Sequence, residues 1–125
     1  MRKTLWSFAG FAMLTLSTTA VADVAQAWQC QLVEGKTNDE LMTLANSWLD
    51  AAKGIDDRAS VRIYFPVATE AEEGSFIFIF YLPDFESWGK FNDAYPGSPV
   101  AQVDAAWNEI APCKVPALWD TADLE

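Results

Sequence analysis

Histidine is absent from the 125-residue chain. With no imidazole there is no histidine metal ligand, no Cys-His nucleophile pair and no proton shuttle of the usual kind. Cysteine occurs only twice, as Cys30 and Cys113. That is too few for a thiolate metal site, and the spacing is not that of a CxxC redox motif. Basic residues are scarce: Lys and Arg total 8 against 18 Asp and Glu, a net charge of −10. An acidic surface repels phosphate backbones and anionic head groups, which argues against nucleic acid and anionic membrane as partners. Solubility is the plain reading of this charge. A cationic ligand is the alternative, although the acids are scattered along the chain. No glycine-rich phosphate loop, GxSxG, HExxH or calcium loop is found. Asp56-Asp57 and the Glu70, Glu72, Glu73 group lack calcium-loop spacing and read as solvated loops. No cofactor and no metal are expected.

The chain does carry a targeting signature. Arg2 and Lys3 form a basic start, Leu5 to Leu16 is mostly apolar, and Ala20-Val21-Ala22 has the small-x-small form of a cleavage site. The apolar part is too short for a comfortable membrane span. Residues 1–22 are therefore read as a signal peptide cleaved after Ala22. No cysteine lies at that point to carry a lipid. The mature part, 23–125, is long enough for one domain with a modest core. Its expected place is the bacterial periplasm or outside the cell, with no membrane association after cleavage.

The longest apolar run of the mature part is Phe76 to Leu82, closed by Pro83. Its β-branched and aromatic residues predict a strand. Alternation puts Phe76, Phe78, Phe80 and Leu82 on one face and Ile77, Ile79 and Tyr81 on the other, so both faces are apolar. Helices of the chain are expected to cover one face, and a second subunit is a candidate for the other.

Around this strand the remaining elements follow from periodicity. Val24 to Val33 predicts a strand. Thr37-Asn38-Asp39-Glu40 is a capping box opening a helix to about Lys53, with Leu41, Leu44, Ala45, Trp48, Leu49 and Ala52 in one stripe and Gly54 as its stop. Val61 to Val67 predicts a strand with Val61, Ile63, Phe65 and Val67 on its apolar face. Asp84 caps a helix over Phe85 to Tyr95, with Phe85, Trp88, Phe91, Asn92 and Tyr95 to one side. Pro96-Gly97 breaks it. Ser98 and Pro99 restart a helix whose buried stripe is Val100, Val103, Trp107 and Ile110. Cys113 to Trp119 is an edge strand, where Pro116 is tolerable. Trp28, Trp107 and Trp119 read as core or interface.

The order is strand, helix, strand, strand, broken helix, strand. Short connections and right-handed crossovers lead to an α+β ferredoxin-like βαββαβ sandwich, a four-stranded antiparallel sheet with helices on one face. In it the last strand lies antiparallel to the first, which brings Cys113 beside Cys30. An even cysteine count in an oxidising compartment independently favours that disulfide.

In element order, and in its aromatic central strand followed by Asp84-Phe85-Glu86-Ser87-Trp88, the chain resembles the dimeric α+β barrel superfamily. That resemblance implies a homodimer formed by two sheets packed face to face, with Phe76, Phe78 and Phe80 as expected interface residues. It also implies a pocket between sheet and helices where the family's enzymes work. The superfamily includes haem-degrading enzymes that ligate iron through histidine, which this chain lacks, and cofactor-free monooxygenases. The latter need an apolar pocket with a few polar groups to stabilise a substrate anion. Arg62, Tyr64, Tyr81, Asn46, Trp48 and Trp88 are the candidate ligand-binding residues. The alternative for them is packing and surface pairing. The expected function is binding of a small apolar or aromatic ligand, or a structural role, as a homodimer. A cofactor-independent monooxygenase acting on an aromatic substrate and a protein-interaction module using the sheet face are the rivals.

Overall fold

A computed structural model of the chain describes residues 23–68 and 70–124. The expected targeting segment, 1–22, and its expected cleavage point after Ala22 lie outside the described residues. Seven elements follow one another: β1 (Val24–Gln31), α1 (Asn38–Ile55), β2 (Ser60–Tyr64), β3 (Ser75–Leu82), α2 (Phe85–Ala94), α3 (Pro99–Ile110) and β4 (Cys113–Asp120). The four strands form one sheet in the order β2-β3-β1-β4, and each neighbouring pair is antiparallel. This is the ferredoxin-like α+β sandwich expected from the element order.

β3 is an inner strand, flanked by β1 and β2, and its register sets the two faces of the sheet. Phe76, Phe78, Phe80 and Leu82 are buried to 4% exposure or less. On the neighbouring strands Gln26, Trp28 and Cys30 of β1 and Val61 and Ile63 of β2 stand beside them. The helices cover this inner face. Trp48 of α1 meets Phe78 and Phe80 edge-on at 5.2 and 5.0 Å, and Phe91 of α2 lies 4.7 Å from Phe80. Phe76, Phe78 and Phe80 are therefore core residues of the subunit. Their expected role as an interface row is corrected: helices of the same chain occupy that face. The free face carries Ile77, Ile79 and Tyr81.

Each helix begins as its capping residues dictate. The Thr37 hydroxyl accepts from the Glu40 amide at 3.2 Å, and the Glu40 carboxylate accepts the Thr37 amide at 2.8 Å. That hydrogen bond from the Thr37 amide also holds the Glu40 carboxyl below its ordinary pKa. Asp84 accepts from the Ser87 amide at 2.7 Å and Ser98 from the Ala101 amide at 3.3 Å. Three boundaries differ from expectation by two residues or more. α1 runs through Gly54 to Ile55, because Gly54 keeps a negative φ and Ile55 packs against the core. β1 ends at Gln31 rather than Val33. β2 ends at Tyr64 rather than Val67: Pro66 has no N–H to continue the ladder, and Val67 is 98% exposed. On α2, Phe85 and Asn92 are exposed, while Ser87 and Phe91 are buried; the helix is rotated relative to the expected stripe.

Cys30 and Cys113 are directly opposed on β1 and β4 and form a disulfide across 83 positions of chain. The β1–β4 register then shifts between Ala27 and Gln29, a bulge in which Val115 and Pro116 of β4 stand opposite Trp28 alone. Val115 has φ of 54°, a left-handed conformation that strains a β-branched residue. An edge strand is where both this bulge and Pro116 are tolerated.

Candidate functional site

The six residues nominated from sequence do not meet in one place. Arg62, Tyr64 and Tyr81 share the outer face of the sheet, since Arg62 is in register with Ile79 and Tyr64 with Ile77. Hydrogen bonds from Tyr81 and then Arg62 push the Tyr64 phenol down; burial, followed by the bond to Tyr64, pushes Tyr81 up. Trp48 lies on the other side of the sheet. Trp88 is also on that side, its indole N–H donating to Gln26 Oε1 at 3.2 Å. Asn46 sits on the outside of α1, and its amide donates back to the Met42 carbonyl at 2.9 Å.

Trp48 belongs to a cleft of about 260 Å³ between the sheet and the helices. Phe78 forms its floor and touches three tryptophans, with ring centroids 5.7 Å from Trp28, 5.2 Å from Trp48 and 5.0 Å from Trp107. Tyr95, Asp104 and Asn108 complete the lining. Asp104, Trp107 and Asn108 are three and four residues apart on α3, so they share one helix face. Exposed Asn108 stands at the mouth. The disulfide closes one end, where the Trp107 indole N–H points at Cys113 Sγ at 3.1 Å. The β4 bulge lies opposite Trp28.

Asp104 organises the polar side of this cleft. Its Oδ1 accepts the Trp48 indole N–H at 2.8 Å and its Oδ2 accepts the Tyr95 hydroxyl at 2.5 Å. Burial first, and then these contacts with Asp104, push the Tyr95 phenol up to about 12, so it is a neutral donor at physiological pH. The carboxylate thus ties α1, the end of α2 and α3 around one opening. Sequence reading identified Trp48 but missed Asp104, Tyr95 and Trp28. A polar residue on an amphipathic helix reads as surface. Only the α1–α3 packing turns Asp104 inward.

The outer sheet face has a different character. Ala25 and Ala27 of β1 form a low strip. Tyr81 and Ile79 of β3 stand to one side of it, and Trp119 and Ala117 of β4 to the other. Trp119, Tyr64 and Ile77 are 59%, 46% and 42% exposed. Among the described residues no helix covers this face, and no helix is long and apolar enough to cross a membrane.

No known protein family matches the chain, and neither does any curated protein. Solved structures do. A conserved protein of unknown function from Bacteroides thetaiotaomicron, described as a possible oxidoreductase, superposes with a TM-score of 0.56 at 10% identity, covering 81% of this chain and 99% of that one. A dimeric ferredoxin-like protein of unknown function from Thermobifida fusca gives 0.55 at 10% identity, covering 81% and 92%. At such identity the likeness concerns the fold, and the fold they share is ferredoxin-like.

Proposed function

We propose that the protein is an exported, disulfide-stapled homodimer whose subunits each bind a small, largely aromatic or apolar ligand in the cleft between sheet and helices. The observation that carries this reading is the cleft itself: three tryptophans around Phe78, with polar groups confined to Asp104, Tyr95 and Asn108. Concave, aromatic-walled sites with a few convergent polar groups are the common form of small-molecule pockets. The basic start, the Ala20-Val21-Ala22 ending and the disulfide support export. The uncovered apolar face with Trp119, Tyr64 and Ile77 supports pairing of two subunits sheet to sheet, and the Thermobifida protein of the same fold is dimeric.

A cofactor-independent monooxygenase on an aromatic substrate is the second reading. One feature favours it: Tyr64, Tyr81 and Arg62 share the outer sheet face, where Tyr81 and then Arg62 push the Tyr64 phenol below its ordinary pKa, donors of a kind that would suit a substrate anion. That trio faces away from the cleft, so it serves this reading only if substrate enters between the paired sheets.

The test of the cleft uses N-phenylnaphthylamine, a neutral fluorescent aromatic. Its emission should rise on binding, with one site per subunit. Asn108→Trp plugs the mouth from an exposed position and should abolish the rise while leaving the melting temperature unchanged. Equal binding by that variant would show that the cleft is not the site.

A further inference from the structure

We infer that the cleft selects a cation, and specifically a quaternary ammonium group, as the part of the ligand that enters it. This rests on the reading of the cleft as a ligand pocket and adds what the ligand carries. The walls are the rings of Trp28, Trp48, Trp107, Phe78 and Tyr95, and among the described residues Asp104 is the only charged side chain in the lining. Both oxygens of that carboxylate are held by neutral donors, the Trp48 indole and the Tyr95 hydroxyl. Among the described residues the ion pairs are Arg58–Asp56 and Lys90–Glu86, and neither includes Asp104. Lys114, next in sequence to Cys113, is in register with Gln29 and so stands on the outer face of the sheet. Among the described residues, the cleft therefore holds a carboxylate with no ion-pair partner, lined by aromatic rings of the kind whose quadrupoles attract cations.

Two features narrow the cation to a quaternary ammonium. A primary ammonium entering the cleft must replace its water with several acceptors. The cleft offers few: one acceptor position on each Asp104 oxygen is already taken. A quaternary ammonium has no N–H to satisfy and presents methyl groups to the rings. The volume, about 260 Å³, is below the roughly 300–1,000 Å³ of pockets for drug-sized ligands, so a compact group suits it. The acidic net charge of the whole chain, −10, favours the approach of cations over anions.

Choline and its uncharged carbon isostere, dimethylbutanol, have the same shape and differ in charge. Titrated into the full mature protein by calorimetry, choline should bind at least tenfold more tightly than dimethylbutanol. Asp104→Asn, which keeps an acceptor for Trp48 but removes the charge, should weaken choline at least tenfold. Equal affinity for the two probes overturns the inference, as does choline binding undiminished in Asp104→Asn. If that variant does not fold, the comparison of the two probes on the unaltered protein decides. No binding of choline while N-phenylnaphthylamine still binds refutes the cation and keeps the pocket; loss of all three refutes the pocket as well.

Discussion

Reduction of the Cys30–Cys113 bond perturbs the chain with little change to native contacts. The two residues are directly opposed on paired strands, and Cys30 is buried at 4% exposure, so the thiols have places to remain. The cost therefore falls mainly on the unfolded chain, which regains the freedom of a loop spanning 83 positions. In the chain-entropy model such a loop is worth about 4.5 kcal/mol. A domain of this size has only about 5–15 kcal/mol of total stability. At about 4 °C or more per kcal/mol, the melting temperature should fall by about 15 °C or more. The assay is thermal unfolding followed by circular dichroism, with and without a phosphine reductant, and with the Cys30→Ala, Cys113→Ala double variant as control. A fall of less than about 5 °C, with complete reduction verified by thiol titration, would refute the argument that the bond stabilises by tethering β1 to β4.

Phe78 is in contact with all three cleft tryptophans, so Phe78→Leu, which keeps an apolar side chain, should still cost about 2–3 kcal/mol in urea unfolding by losing ring pairs worth about 0.5–1.5 kcal/mol each; a cost below about 0.5 kcal/mol would contradict its place at the centre of the cleft. Tyr95 should make the fold sensitive to alkali. Its pKa is raised from 10.0 to about 12 in the folded protein, so its stabilising contribution is fully present below about pH 10 and is lost as pH rises toward about 12. After allowance for partial solvent screening this amounts to about 1–2 kcal/mol. Across that window the unaltered protein should lose stability more steeply than Tyr95→Phe, as read by urea midpoints at each pH, and parallel slopes would refute the burial of the Tyr95 phenol against Asp104.

Much of the fold was legible because local signals agreed with one another. Thr37 through Glu40 encode a capping box, and the same two hydrogen bonds form it. The alternation in Phe76 to Leu82 named both faces of β3 correctly. The positions of Cys30 and Cys113 in the expected topology matched their register. What failed depended on tertiary choices. Two apolar faces on one strand do not say which is taken by the helices, so Phe76, Phe78 and Phe80 were assigned to a partner instead of to the core. Val67 continues the alternation of β2, but Pro66 removes a ladder donor before it. Nothing in the sequence marks Ala25 and Ala27; between Tyr81 and Ile79 on one side and Trp119 and Ala117 on the other they become the floor of the exposed face. Nothing in the sequence marks Asp104; it joins the cleft only because α3 meets α1 through Trp48.

The most direct test of the account is the mass of residues 23–125, purified and measured under native conditions alongside Ile79→Lys. Ile79 is on the uncovered face, in register with Arg62 and Ala27, so the added lysine places a charge in the proposed sheet-to-sheet interface without entering the core. The account predicts a dimer for the unaltered protein, with small-molecule mass retained in the clefts, and a folded monomer for Ile79→Lys. A monomeric unaltered protein, or a dimer that Ile79→Lys leaves intact, would contradict the pairing of subunits through this face.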